Sequence, residues 1–115
     1  MKDDSAYLKH ILQSANKIQR FTKNIGYEDF MKNDLIQSAV LREIEIIGEA
    51  AKYLGAETKN LNKEIPWAEI AKMRDKLIHA YFGVDLDIVW ETVKKDIPFL
   101  KKHIREILGK STDNP

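Results

Sequence analysis

Apolar residues recur every three or four positions along most of this chain, which is the spacing of one face of an α-helix. The pattern runs from Tyr7 to Phe21, resumes after Asp34 as far as Leu54, and returns after Pro66. The two-residue alternation of a half-buried β-strand does not occur. A chain of 115 residues is long enough for one hydrophobic core. We therefore predict one all-α domain of four or five helices in an antiparallel bundle.

Capping residues and breakers predict the ends of the first two long helices. Asn24 to Asp29 contains a glycine and interrupts the apolar pattern, so we expect a connection there. Asn33 or Asp34 is placed to cap the second helix, and Gly55 is expected to end it. The polar stretch from Thr58 to Ile65 is expected to be a linker.

The second half of the chain has its own start and stop signals. Pro66 suits a first helical position and predicts a third helix that runs to about His79 or Tyr81. Asp85 or Asp87 can cap the next helix, which Pro98 is expected to split or kink. The predicted domain covers residues 1–109. The segment 110–115 has no apolar residue and is expected to fray.

Charge and composition exclude several classes of protein. The formal net charge is +1, so the domain is not a uniformly basic nucleic-acid binder, and any such contact must be local. The absence of cysteine excludes disulfides, thiolate catalysis and sulfur-ligated metal. The beginning, MKDDSAYLKH, lacks the apolar run of a signal peptide, and no stretch approaches the ~20 apolar residues of a membrane span. A soluble cytoplasmic protein is the expectation.

The stretch KMRDKLIHAYFG places an arginine on an apolar helix face. At about 100° per residue, Arg74 falls among the apolar residues of the third helix. A guanidinium there costs several kcal/mol unless it is paired or reaches water. Glu43, in the apolar stripe of the second helix, is the expected partner of a structural ion pair, with Glu45 or Glu49 as alternatives. The opposite, polar face of the third helix carries Lys72, Asp75, Lys76 and His79.

The same stretch can also be interpreted as a catalytic site. Asp75 and His79 are four residues apart, so the carboxylate can orient the imidazole, although many surface helices carry such pairs without function. Arg74 and His79 are five apart, about 140° around an unbroken helix. Either the helix ends after Ile78 or a second protomer completes the site. A two-fold dimer would join two arginines and two histidines in a cleft, flanked by Lys72 and Lys76, that suits a phosphodiester.

These residues resemble a known signature. The segment from Arg74 to His79 is similar to the HEPN superfamily motif, in which an arginine and a polar residue precede a histidine by a short spacer. The segments QSAVLREIEIIGEAAKYL, IPWAEIAKMRDKLIHAYFGVD and VWETVKKDIPFLKKHI extend the resemblance to the HepT-like branch over nearly the whole chain. The resemblance implies a small helical homodimer, a metal-independent ribonuclease toxin without cofactor, and a minimal nucleotidyltransferase antitoxin of the MntA type.

Carried over residue by residue, the resemblance implies that Arg74 and His79 are catalytic and that Asp75 supports them. It also implies that Tyr81, two residues after the histidine, accepts AMP groups from the nucleotidyltransferase, which silences the toxin. Asparagine is common after the arginine in this family, whereas an ionised Asp75 can partly neutralise Arg74. Glu45 and Glu49 either line the dimer cleft or face solvent.

Two rival interpretations stay open at this point. One is a non-catalytic HEPN module that binds substrate for, or regulates, a nucleotidyltransferase. The other is an interaction domain in which Arg74 and Asp75 form a structural pair. A basic run either faces solvent or steers RNA or an acidic partner surface; it comprises Lys94, Lys95, Lys101, Lys102, Arg105 and Lys110.

Overall fold

The computed structural model of this chain describes residues 4–78 and 85–113, without the side chains of Arg74, residues 76–78 and residues 111–113. The described residues contain no β-strand, which confirms the predicted all-α class. The α-helices are α1 (Ser5–Phe21), α2 (Tyr27–Lys32), α3 (Asp34–Lys52), α4 (Ala56–Leu61), α5 (Trp67–Ile78), α6 (Leu86–Glu91) and α7 (Ile97–Asp113), and a π-helical turn (Thr92–Asp96) joins α6 to α7. Dimerisation stays a prediction.

Helix α1 lies antiparallel to both α3 and α7. At one end, the rings of Tyr7 and Tyr53 stack with centroids 5.6 Å apart, so the start of α1 meets the end of α3. Near the other end, the Lys101 Nζ donates to the Gln19 Oε1 over 2.8 Å, so the end of α1 meets the first turns of α7. Helix α5 packs against α3. The long helices therefore enclose one core between them.

The core consists of the apolar stripes that the helical period predicts. Its largest fully buried side chains come from α1, α2, α3, α6, α7 and the loop before α5; they are Ile11, Ile18, Phe30, Val40, Ile44, Ile47, Ile65, Val89, Ile97 and Ile104. Trp67 and Ile70 of α5 are buried in the same cluster. Trp67 also donates its indole N–H to the Asn62 carbonyl over 3.1 Å, so its buried polar group is satisfied.

The predicted caps form at α3 and α6, whereas Gly55 has another role. The Asn33 Oδ1 accepts from the Ile36 N–H over 3.0 Å. The Asp85 Oδ1 accepts from the Asp87 and Ile88 N–H groups. The prediction that Gly55 ends α3 is wrong, because α3 ends at Lys52 and Gly55 precedes α4 with an extended backbone (φ −71°, ψ 160°). It therefore caps the start of α4.

Two six-residue helices lie where connections were expected. Helix α2 replaces part of the predicted break between Asn24 and Asp29, and α4 overlaps the predicted linker from Thr58 to Ile65. Neither is long enough to show a helical period, and both are held by contacts with distant residues. For α2 the contact is the fully buried Phe30 ring.

Helix α4 is held by a carboxylate from the start of the described chain. The Asp4 Oδ2 accepts from the Gly55 N–H over 3.0 Å and from the Thr58 hydroxyl over 2.7 Å. We expect Asp4→Ala to lower the free energy of unfolding by about 1–2 kcal/mol, because both donors lose a charged acceptor. Urea denaturation measures this change. Glu64→Ala, which alters an exposed loop carboxylate, is the control and is expected to stay within about 0.5 kcal/mol; equal effects would contradict the predicted role of Asp4.

Pro98 was expected to split or kink the last helical stretch; α6 and α7 are separate α-helices joined by the π-helical turn just before it, and a kink stays a prediction. Proline lacks the N–H that would bond the carbonyl of Lys94, and its ring crowds that carbonyl. The π-helical turn lies just before it, and the Ile97 N–H donates to the Thr92 carbonyl five residues earlier. This wider turn accommodates the proline. Helix α7 then continues to Asp113, so it extends into segment 110–115, whose fraying stays a prediction.

Candidate active-site region

Helix α5 carries the residues of the predicted site, and its described side chains have the predicted orientation. Lys72 and Asp75 are exposed, whereas Ile70 is buried and Met73 is half-buried against the core. Lys72 and Asp75 are therefore free of the core and accessible from solvent. This agrees with the helical periodicity, which placed a polar face on one side of α5 and an apolar face on the other.

Several predicted site residues lie outside what the structure describes. The backbones of Arg74 and Lys76 belong to α5, but their side chains are not described. His79 and Tyr81 fall in the segment 79–84, which lies outside the described residues. The Arg74–His79 arrangement, the Asp75–His79 pair and the accessibility of Tyr81 accordingly stay predictions.

Glu43 is the buried carboxylate that the apolar pattern of α3 singled out. Only 5% of its surface is exposed, and its Oε1 has no hydrogen-bond partner among the residues that the structure describes. A buried carboxylate needs a cation or hydrogen-bond donors to offset its desolvation. Because α3 packs against α5, an ion pair with Arg74 remains the leading prediction for this oxygen.

Glu45 and Glu49 lie together on the other side of α3. With Arg42 and Ile46 they line a shallow groove that is open to solvent. The Glu49 carboxylate is 3.9 Å from the Lys52 ammonium, a surface ion pair of small energetic value. The described residues that line this groove all belong to α3, so one protomer does not bring Lys72 or Asp75 into it. The dimer cleft that would join the two sets stays a prediction.

A contact that the sequence did not reveal fixes the start of α6. The Tyr27 hydroxyl donates a hydrogen bond to the Asp87 carboxylate, and this bond raises the pKa of Tyr27. Trp90 packs against the rings of Phe30 and Tyr27, with centroids 5.1 Å and 6.5 Å away. Tyr27 therefore stays protonated at neutral pH and ties α2 to the helix that follows residues 79–84. No sequence signal pairs residues this distant.

An apolar cavity between α3, α5 and α7 has an acidic rim. Its lining includes Ile47, Met73 and Phe99, with Glu69 and Asp96 at the edge. Partial desolvation is the first cause that raises the pKa of Asp96, and the Glu91 and Glu69 charges add to it. Lys95 and the Thr92 hydroxyl oppose this rise. The ionised form of Asp96 is thus disfavoured in the folded protein.

This raised pKa gives a pH-dependent prediction for stability. The folded state holds the Asp96 proton more tightly than the unfolded state, so stability falls as the pH rises from the ordinary value of 3.8 through the raised one. We expect Asp96→Asn to raise the free energy of unfolding at pH 7 by at most about 0.5 kcal/mol, since solvent screens the site. At about pH 3, where the carboxyl is protonated in both states, the variant and the parent should match. Urea titrations at both values measure the difference, and a destabilised variant at pH 7 would contradict the assignment.

No helix in ranges 4–78 and 85–113 is long and apolar enough to cross a membrane. In the same ranges, no group of three or more histidine or carboxylate side chains is arranged to hold a metal ion.

The helical architecture and the polar face of α5 are those of an all-α domain and are consistent with the HEPN fold. A family model described as Ribonuclease HepT-like matches residues 11–107. The chain belongs to this HepT-like family of the HEPN superfamily, as the resemblance had indicated.

Named relatives agree with the family. A protein of Caldanaerobacter subterraneus subsp. tengcongensis named "Putative RNase TTE0752" is 49% identical over 110 residues, which cover 96% of this chain and 98% of that protein. "Probable ribonuclease HepT" of Thermococcus cleftensis is 54% identical over 95 residues, which cover 83% of this chain and 86% of the relative. No solved structure matches the chain. The family and these names support a ribonuclease of HEPN type.

Proposed function

We propose that this protein is a metal-independent ribonuclease and the toxin of a toxin–antitoxin pair, with its active site in a homodimer cleft. The match to the HepT-like ribonuclease family over residues 11–107 carries this proposal. The Arg74-to-His79 motif at the end of α5 supplies residue types that can cleave RNA without a metal. A cytoplasmic location, where RNA and an antitoxin are both present, belongs to the same proposal.

The proposed chemistry is a transesterification within the RNA. His79 takes the proton from a ribose 2′-hydroxyl and, once protonated, gives it to the leaving 5′-oxygen. The 2′-oxygen bonds to phosphorus to form a phosphorane, and the bond from phosphorus to the 5′-oxygen then breaks, which leaves a cyclic 2′,3′-phosphate and a free 5′-hydroxyl. Arg74 stabilises the negative charge of the phosphorane between these events. Asp75, which lies on the exposed face of α5 four residues before His79 in the sequence, supports the imidazole.

A second copy of the chain completes the proposed cleft. Arg74 and His79 diverge by about 140° if α5 continues as a regular helix, so two protomers can supply what one cannot. Lys72 is exposed on α5, and the Glu45 and Glu49 groove is open on α3. In a two-fold dimer these surfaces can approach the same cleft from different chains, with Lys76 beside them.

The proposed regulation is AMPylation of Tyr81 by a minimal nucleotidyltransferase of the MntA type, the antitoxin partner. An AMP group two residues from His79 adds negative charge and bulk next to the cleft. Both effects oppose the binding of an RNA phosphate. The modification should therefore silence the enzyme without unfolding it.

The test is cleavage of total tRNA and mRNA in EDTA by protein whose Tyr81 is shown to be free by mass spectrometry. We expect cleavage by the unmodified dimer and none by the AMPylated form. Failure of the unmodified dimer to cleave any of these RNAs would contradict the ribonuclease assignment. Cleavage that requires added Mg²⁺ would contradict metal independence alone.

A non-catalytic HEPN module that serves a nucleotidyltransferase is the second candidate. The observation that favours it is the buried Glu43, whose Oε1 has no hydrogen-bond partner among the described residues, because an Arg74 held by that carboxylate would be structural. Absence of cleavage combined with tight binding to the nucleotidyltransferase would support this alternative.

A further inference from the structure

Two shallow grooves follow one another along the seam between α1 and α7. The first is lined by Gln19, Pro98, Lys101, Lys102, Arg105 and Glu106. The second shares Gln19 and Pro98 with the first and continues past Lys23 and Lys94. Because two lining residues are common to both, the grooves form one continuous surface, which we call the α1–α7 groove.

The α1–α7 groove concentrates positive charge that the chain as a whole does not have. Its lining includes five cationic side chains and one carboxylate, whereas the formal net charge of the protein is only +1. The remaining surface is therefore acidic on balance. Segregation of charge on this scale attracts polyanions to one face and away from the others.

The cations are placed along a line and not in a compact cluster. Lys94 lies in the π-helical turn, and Lys102 and Arg105 are on the exposed side of α7. From Lys94 to Arg105 the helix rises about 16 Å at 1.5 Å per residue. Consecutive phosphates of one nucleic-acid strand are about 3.4 Å apart along a helix and further apart in an extended strand, so this length matches about three to five phosphates.

One end of the groove reaches an aromatic cluster. The Lys94 ammonium lies 4.8 Å from the centroid of the Trp90 ring, and Trp90 is only half-buried. Tyr27, beside Trp90, is 46% exposed. Aromatic rings next to a basic track are the usual elements of single-strand binding, because bases stack on them while cations contact the backbone. The same end of the groove adjoins α6, the helix that follows residues 79–84.

The geometry points to the α1–α7 groove as a binding track for the backbone of single-stranded RNA, outside the catalytic cleft. This inference rests on the proposed ribonuclease function, since it names the surface that holds substrate on either side of the cut. An acidic protein surface would be attracted by the same charges. The linear spacing and the aromatic end favour a nucleic-acid strand, whose charges and bases repeat at regular intervals.

The test measures binding separately from cleavage. The probe is a fluorescein-labelled 20-nucleotide RNA with 2′-O-methyl groups, which keeps the phosphodiester backbone but lacks the attacking hydroxyl. The triple variant Lys94→Gln/Lys102→Gln/Arg105→Gln should bind it at least about tenfold more weakly at about 50 mM salt. The slope of log affinity against log salt should become shallower by about 2, since each lost contact on a single strand contributes about 0.7.

A matched control removes the same charge elsewhere. The control is Lys17→Gln/Lys59→Gln/Lys63→Gln. Lys17 lies on the side of α1 that faces away from Gln19, Lys59 lies in α4, and Lys63 lies in the loop after α4. This control should keep the affinity and salt slope of the parent. Equal losses in both triple variants, or parent-like binding by the groove variant, would overturn the inference. Stronger competition by polyglutamate than by unlabelled RNA would also overturn it and would assign the groove to an acidic protein partner.

Failure of this inference is distinguishable from failure of the proposed function. If the parent cleaves RNA and the groove variant binds and cleaves equally well, the groove assignment is wrong and the ribonuclease stands. Suppose instead that the unmodified parent cleaves no RNA, and that the groove variant loses RNA binding while the control variant keeps it. The groove then binds RNA, but the protein is a non-catalytic module. The circular-dichroism spectrum and elution volume of each variant must match the parent for either conclusion.

Discussion

RNA cleavage in EDTA is expected to fall at least about 100-fold when either Arg74 or His79 is replaced by alanine. A positioned general acid or base contributes about 10²–10⁴-fold, and loss of one group that stabilises transition-state charge costs about 10²–10³-fold. Initial rates on an end-labelled RNA measure both effects. The two losses should not add in the double variant, because the proposed mechanism has the two side chains act in one step.

The control for these variants is Lys63→Ala, which changes an exposed lysine in the loop after α4. We expect it to cleave at the parent rate. All variants must keep the helical circular-dichroism spectrum and the elution volume of the parent, so that a loss of rate is not a loss of fold. Parent-like cleavage by either Arg74→Ala or His79→Ala would contradict its catalytic role.

Phe30→Ala is expected to lower the free energy of unfolding by about 3–5 kcal/mol. The Phe30 side chain is fully buried and packs on Trp90, so its removal leaves a cavity between α2, α3 and α6. The Gln37 amide also donates to the Phe30 carbonyl over 2.8 Å, which fixes the backbone around the lost ring. Urea denaturation followed by circular dichroism measures the change.

The matched control for Phe30 is Leu35→Ala, one helix further along the chain. Leu35 is 79% exposed, so its truncation should change stability by less than about 0.5 kcal/mol. A loss below about 1 kcal/mol for Phe30→Ala would show that α2 is peripheral to the core. Loss of α2 would also remove the Tyr27–Asp87 hydrogen bond that ties it to α6.

Helical periodicity and local capping were sufficient to predict the long helices. Helix α1 spans Ser5–Phe21, as its apolar spacing predicted, and Asn33 and Asp85 cap the helices that they precede. Burial of Glu43 followed from its position among apolar neighbours. These features depend on residues within a few positions of one another, which is the range that a sequence pattern records.

Features that depend on distant residues could not be predicted. Helix α4 is held by Asp4, and Tyr27 bonds a carboxylate 60 positions away. The interruption expected near Pro98 takes the form of a π-helical turn that joins α6 to α7, which the sequence did not indicate. Each of these outcomes is decided by packing or by a neighbouring turn, whereas intrinsic propensity predicted only connections and a break at the proline.

The candidate site and the α1–α7 groove also combine features that the sequence predicted with features that depend on packing. The exposure of Lys72 and Asp75 followed from helical geometry. The proposed roles of Arg74, His79 and Tyr81 rest on the family resemblance and stay predictions. The sequence showed the basic run on α7 but did not show that Gln19 and Lys23 of the α1 end line the same groove. That arrangement follows only from the antiparallel packing of α1 on α7.

The measurement that tests the central claim most directly is cleavage by a mixed dimer that contains one Arg74→Ala chain and one His79→Ala chain, purified with two different tags. If each Arg74 acts with the His79 of the other chain, the cleft of the parent holds two such pairs and the mixed dimer keeps one of them, so we expect about half of the parent rate per dimer. The reciprocal dimer, with both substitutions on one chain and a parent partner, should be inactive. An inactive mixed dimer with a half-active reciprocal dimer would contradict the shared site, and an inactive parent dimer would contradict the ribonuclease itself.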